Sequence, residues 1–148
     1  MLISRLVIVG LCICLLLTAA VSLADQTDEA RAVAMTILQK LEQKKNSEVW
    51  ESHVSNWFKE RTTKPAFLAN MTLIQSLLEG LGAHRELVQQ NLANSSPQVG
   101  YRGEVYSFMF ATTFPSANVY EMIVMIKEDS TYRLSGIQYT PNPNVSSP

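Results

Sequence analysis

Two histidines, thirteen carboxylates and five tyrosines make up most of the acid–base chemistry of this chain. One of them stands in an unusual setting. Glu121 lies inside an apolar run from Val119 to Lys127, with Tyr120 and Met122 on either side. A carboxylate buried among apolar side chains resists ionisation, so its pKa rises and it can serve as a general base. A base needs a donor for the developing oxyanion, and Tyr101, Tyr106 and Tyr139 carry hydroxyls that offer one. The preferred reading is plainer: an ion pair across the sheet to Arg102 or Arg133, since structural pairs also perturb carboxylates. His53 and His84 stand in neither a His-x-x-x-His nor a Glu-x-x-His pattern, so no metal is expected. His53 reads as a helix-boundary residue and His84 as a solvated strand end. There is no Gly-x-Ser-x-Gly, P-loop or dinucleotide glycine pattern, so no catalytic residue and no cofactor is assigned. The candidate ligand-binding residues are Tyr106, Phe108, Phe110 and Glu121, although aromatics at strand spacing are also what a plain core uses.

The segment that precedes these residues says where they work. Arg5 is the sole charge before Asp25, an apolar run follows from Leu6 to Leu17, and Ser22-Leu23-Ala24 has a small-x-small ending. That pattern is a secretory leader, residues 1–24, and implies an exported protein of the bacterial periplasm. The alternative is an uncleaved anchor, for which about twelve apolar residues are few. Cleavage removes Cys12 and Cys14, the only two cysteines, so disulfides and thiolate metal sites are excluded from the rest. It leaves 11 basic against 13 acidic residues and no basic stripe. Nucleic acid and anionic membrane are therefore poor partners, and no membrane span remains after cleavage. Asn70-Met-Thr, Asn94-Ser-Ser and Asn144-Val-Ser fit the glycosylation pattern, which in a bacterial protein is chance.

The elements that must position the candidates follow from periodicity. Ala30, Val33, Ala34, Ile37, Leu38 and Leu41 make one helical stripe over 25–46, with Thr27 or Asp28 as its cap. Ser47 is the expected cap of a second helix bearing Val49, Trp50, Val54, Trp57 and Phe58. Thr62 or Thr63 caps a third, with Pro65 in its first turn and Gly80 and Gly82 at its end. The period then shortens, and strands are expected over 84–92, 101–114, 119–127 and 132–140. In the last of these, Tyr132 and Leu134 differ in parity from Ile137 and Tyr139, which calls for a bulge at Ser135-Gly136. The 119–127 strand is apolar on both faces, so it is central and covered on both sides. The fold expected is α+β: three N-terminal helices packed on one face of a curled four-stranded antiparallel sheet, as a single domain over 25–140, with a disordered tail over 141–148.

Several residues in order carry a resemblance. They are Trp50 with Phe58-Lys59, Leu81-Gly82 with Arg85, Gly100-Tyr101, Phe108 with Thr113-Phe114, Glu121 with Glu128, and Tyr132-Arg133-Leu134-Ser135-Gly136. This set resembles the bacterial exported family known as domain of unknown function 4019, over roughly 34–139. Phe67 stands where that pattern has a tryptophan and Ile137 where it has a tyrosine. The resemblance implies a small exported domain with no established activity. The helix-then-meander order is similar to the cystatin-like and nuclear-transport-factor-2-like cone folds.

Three functional readings result. The first is a non-catalytic exported domain that binds a partner protein or a second copy of itself through the open sheet face, the second apolar face of the central strand. The second is a binder of a small apolar ligand held between sheet and helices. The third is an acid–base enzyme using Glu121.

Overall fold

The computed structural model describes residues 23–82, 84–96 and 100–143. Helix α1 runs through residues 23–42 and buries Ala30, Ala34, Ile37, Leu38 and Leu41, the stripe that its 3.6-residue period lays on one side. Of the expected leader, residues 1–22 lie outside the described residues, while Leu23 and Ala24 already belong to α1. Thr27 therefore lies inside the helix. Its hydroxyl donates back to Leu23 O at 3.1 Å rather than capping a start. Among the described residues no helix is long and apolar enough to cross a membrane.

The second expected helix is two. Helix α2 covers Asn46–His53 and α3 covers Asn56–Lys59. Between them Val54 forms a parallel bridge with Leu134, and Ser55 N donates to Leu134 O at 2.9 Å. The competing strand partner breaks the helix. Ser55 then accepts from Phe58 N at 3.1 Å and restarts it. Ser47 is not a cap: α2 begins at Asn46, and the cap position is Lys45, two residues before Ser47, with no side-chain cap bond. Helix α4, Lys64–Leu78, is capped by Thr63 with Pro65 in the first turn, as its sequence suggests. It ends on Glu79, which takes the left-handed conformation at φ 51°, and Gly80 follows at φ 134°, a backbone conformation that favours glycine.

Strands β1 (His84–Ser96), β2 (Tyr101–Thr113), β3 (Asn118–Glu128) and β4 (Thr131–Pro141) pair in sequence order, each antiparallel to the next. The sheet is not strongly curled. The β3–β4 register jumps from Val124 opposite Gly136 to Met125 opposite Leu134, leaving Ser135 as the extra residue of a bulge. The parity change in the sequence has this cause. Pairing continues beyond Thr140: Pro141 closes β4, and Asn142 N donates to Asn118 O at 2.9 Å. Residues 144–148 of the expected tail lie outside the described residues.

The core forms where the helices cover one face of the sheet. Tyr106, Phe108, Phe110, Ile123, Met125, Tyr132 and Leu134 meet the α1 stripe together with Trp50, Phe67 and Met71. Trp50, Phe58 and Phe67 pack edge-on or tilted with ring centroids 5.4–6.5 Å apart, a geometry worth about 1 kcal/mol per pair beyond burial. A paired-amide clamp locks the helices together. Gln75 Nε2 donates to Leu41 O at 2.6 Å and to Asn46 Oδ1 at 2.7 Å, and Asn46 Nδ2 returns a bond to Gln75 Oε1.

Candidate functional site

Alternation along β3 sends Val119, Glu121, Ile123 and Met125 toward the helices, and all four are buried. Glu121 is 1% exposed. Its partner is neither Arg102 nor Arg133. The pairing register sets Arg85 of β1 opposite Thr112 of β2, and Phe110 of β2 opposite Glu121. Arg85 thus reaches diagonally across β2 on the same face. Its Nε donates to Glu121 Oε2 at 2.6 Å and its Nη2 to Oε1 at 3.2 Å, a two-pronged grip on the carboxylate. The Thr112 hydroxyl donates to the same Oε2. Arg85 Nη2 also pairs with Glu42 at the C-terminal end of α1. The guanidinium is well buried, which by itself opposes its charge. The hydrogen bonds and charges of Glu121 and Glu42 outweigh that and hold Arg85 above its ordinary pKa.

Gly82 completes the cluster. A methyl group at this position would come within 2.7 Å of Thr112 Cγ2 and 3.1 Å of Glu42 Oε1. Only a residue without a side chain lets the α4–β1 connection pass this close to the network. Tyr139, opposite Glu121 on β4, has its pKa raised by burial first and by the Glu121 charge second. Arg102 is exposed, and Arg133 donates instead to Ser52 O at the end of α2. The sequence shows that Glu121 is buried. It hides the partner, because Arg85 sits at the polar edge of β1, 36 residues away, and reaches Glu121 only through the register of two strand pairs.

The three aromatics singled out with Glu121 take core positions. Phe108 and Phe110 are buried beneath the helices, and Tyr106 stacks edge-on against Tyr132 at 5.3 Å. Burial, then the neighbouring Tyr132 and Glu104, push the Tyr106 phenol above its ordinary pKa. Tyr106 Oη donates to Glu104 Oε2 at 3.1 Å, while Tyr132 Oη has no well-formed hydrogen bond among the described residues. The cleft lies elsewhere. A hollow of about 300 Å³ opens between α3, α4 and β4, lined by Phe58, Thr62, Phe67, Asn70, Met71, Leu73, Ile74 and Ile137. Phe67 and Ile137 are the two positions at which the sequence departs from the pattern it resembles. Sequence periodicity does not find the cleft, because Phe58, Phe67, Met71 and Ile74 read as helix core and Ile137 as strand core.

A second, polar hollow of about 140 Å³ is lined by Glu51, Lys59, Glu128, Asp129 and Arg133 among others. Its charges have structural duties. Glu128 accepts from Asn56 N at 2.9 Å and Trp57 N at 3.1 Å, closing the start of α3, and Glu51 accepts from Lys64 Nζ at 2.6 Å. Trp57 carries Arg61 over its face at 3.9 Å and Tyr101 against its edge at 5.8 Å. His53 is half-buried, and burial, then Lys40 and Arg133, depress its pKa. His84 is exposed at the start of β1. Among the described residues no group of three His, Cys, Asp or Glu could hold a metal ion.

The sheet face turned away from the helices buries Val105 against Ile126 at one end and is half-exposed at its centre. Met109 and Met122 are directly paired across β2 and β3, and Val124 stands two residues further along. All three are half-buried and none belongs to the core beneath the helices. Ser107, Ala111, Gln89 and Gln138 surround them. The scattered residues of the family resemblance gather in a few places: Gly82, Arg85 and Glu121 in the buried network, Trp50, Phe58 and Lys59 in the aromatic cluster, and Tyr101 and Glu128 around Trp57 and the start of α3. No family model, curated protein or solved structure matches this chain.

Proposed function

We propose that this chain is a non-catalytic domain exported to the bacterial periplasm, and that it works by binding another protein through the sheet face turned away from the helices. The observation that carries this is the uncharged apolar centre of that face, the Met109–Met122 pair with Val124. Methionine is the residue that adapts to partners of varied shape, and half-buried apolar side chains with the polar Ser107, Gln89 and Gln138 around them suit a protein contact. The state of Glu121 supports a role without catalysis. Both carboxylate oxygens are engaged by Arg85, one by Thr112 as well, and the group is walled from solvent. A general base must reach a substrate proton, and this one faces its own arginine. The leader pattern of residues 1–24 supports export. Kinship with domain of unknown function 4019, and with the cone folds, belongs to the same proposal. The meeting of Gly82, Arg85 and Glu121 supports it.

The test is a photo-reactive phenylalanine analogue placed at Met122 in the native host, with exposed Glu60 as the control position. A discrete adduct from 122 and none from 60, identified by mass, is the expected result. Silence at both 122 and 109 overturns the reading.

The cleft of about 300 Å³ favours a second reading, a small apolar ligand. Its size sits at the lower end of ligand sites. A native mass spectrum of the purified protein with a reproducible adduct, lost on changing Ile74→Trp, supports this reading. A bare chain mass sinks it.

A further inference from the structure

The cleft between α3, α4 and β4 has a chemistry of its own. Its floor is Phe67 and Met71, both buried, and its walls are Phe58, Ile74 and Ile137, all half-buried. No residue that lines it is charged. The charges that flank Phe58 and Thr62 in sequence are engaged elsewhere. Lys59 stands over the Trp50 ring, Arg61 lies over Trp57 and pairs with Glu60, and Lys64 pairs with Glu51 at 2.6 Å. From Pro65 to Leu78 the helix itself carries no charge. An ion drawn into this hollow would lose water and find no counter-charge, a cost that apolar contact does not offset.

The hollow is also held open by fixed walls. Trp50 backs both aromatic side chains, 5.4 Å from Phe67 and 6.5 Å from Phe58, and those two rings meet edge-on at 6.4 Å. The Gln75 clamp, next to Ile74, ties α4 to Asn46 and to Leu41 O. A site arranged beforehand loses little freedom when it is filled. Two polar side chains stand at the rim. Thr62 precedes α4 and Asn70 lies in its middle, and neither the hydroxyl nor the amide is hydrogen-bonded to another described residue. Between them they can both donate and accept. Past Asn70 the helix lines the hollow with Met71, Leu73 and Ile74, apolar without a break.

We propose that the cleft takes an uncharged amphiphile: an apolar body lying against Phe58, Phe67, Ile74 and Ile137, with one neutral hydrogen-bonding head, an alcohol or an amide, at Thr62 and Asn70. The inference rests on the apolar-ligand reading above and adds the class of ligand to it. A plain hydrocarbon would crowd water from two polar side chains and return no hydrogen bond. A carboxylate or ammonium head would meet no opposite charge.

The experiment titrates the unaltered protein, purified as the cell leaves it, with four probes of one body length: octanol, octanamide, octanoate and octylamine at neutral pH. The methyl NMR signals of Met71, Ile74 and Ile137 report where they bind. Octanol and octanamide should shift these signals saturably, and at least about tenfold more tightly than the two charged probes. Affinity among shorter alcohols should fall by about fourfold for each methylene removed. Thr62→Val with Asn70→Leu, both outside the buried core, should weaken octanol by about tenfold, and Ile74→Trp should abolish its binding. Equal affinity for neutral and charged heads overturns the proposal and leaves the apolar-ligand reading in place. So does octanol binding that ignores the Thr62 and Asn70 changes. If no probe moves the three methyl signals, the proposal and the reading fall together.

Discussion

Glu121 and Leu77 both break the usual rule of placement, in opposite directions. One is a carboxylate with 1% of its surface in water, and the other a leucine with 64%. The difference lies in where each finds its compensation. Glu121 finds it inside the molecule: a two-pronged arginine, a threonine hydroxyl, and a second carboxylate that shares the arginine. Leu77 has no such answer among the described residues. A buried charge that is fully partnered speaks of architecture. An apolar helix face with no charge on it speaks of something that comes from outside. The comparison directs the search for function away from the residue that most resembles a catalytic acid and toward the surfaces that resemble nothing chemical.

The harshest way to break the comparison is to take away the inner compensation. Arg85→Met leaves Glu121 buried with a neutral partner, and a charge stranded in this way costs about 3–5 kcal/mol. Urea denaturation should register that loss. Adding Glu121→Met to Arg85→Met should return much of it, because a buried pair replaced by apolar residues is often near neutral. If Arg85→Met alone costs less than about 1 kcal/mol, the pair is not the anchor that its burial implies. By contrast, Leu77→Ser on the outer face of α4 should leave stability within about 0.5 kcal/mol, as surface changes do.

Gly82→Ala strikes the same network from the backbone side. The added carbon meets Thr112 Cγ2 at 2.7 Å and the Glu42 carboxylate at 3.1 Å. Overpacking of this kind costs about 1–3 kcal/mol, visible as a fall in the thermal midpoint. Ser116→Ala, an exposed position whose hydroxyl donates to Leu77 O, serves as the mild control. An unchanged midpoint in Gly82→Ala would mean that the connection can move aside, and that close approach here is incidental.

How much of this was legible follows from how far apart the interacting residues are in sequence. The α1 stripe, the Thr63 cap and the odd parity around Ser135 are local, and periodicity exposes each of them. The break at Val54-Ser55 was not legible. It comes from Leu134, about eighty residues on, which takes both the Val54 bridge and the Ser55 amide. The Glu121 partner is hidden for the same reason: Arg102 and Arg133 stand in strands as well but face elsewhere, and only the register brings in Arg85. Element order fixes the connectivity of the sheet and leaves its curl open.

Glu128 shows the cost of a lesser, half-exposed compensation. It accepts from two backbone amides at the start of α3. Glu128→Ala should lose about 1 kcal/mol, the usual worth of a helix cap, and Glu128→Gln should lose less, because an amide oxygen still accepts. Equal losses for both would mean that the negative charge at the helix start matters more than the bonds.

His53 is the inverse of Arg85, a group that can become cationic and sits half-buried beside other cations. Burial first, then Lys40 and Arg133, lower its pKa from 6.5, with Glu48 opposing weakly. A lowered folded pKa means that the unfolded chain binds the proton more readily. Above 6.5 both states are neutral and the contribution is whole. As pH falls through 6.5 the unfolded state gains protons first, so stability declines toward the folded pKa and levels off below it. His53→Gln should flatten that decline between pH 7 and pH 5, measured by urea midpoints across the range. The carboxylates that are held low, Glu48 by Lys40 and Glu51 by Lys64, lose their contributions only at more acid pH, below their ordinary 4.5. A decline in that lower window should therefore survive the His53 change. If the whole profile flattens, the histidine controls more than its own proton. If nothing flattens, its neighbours do not press on it as their positions imply, and the contrast with Arg85 fails at its weaker end.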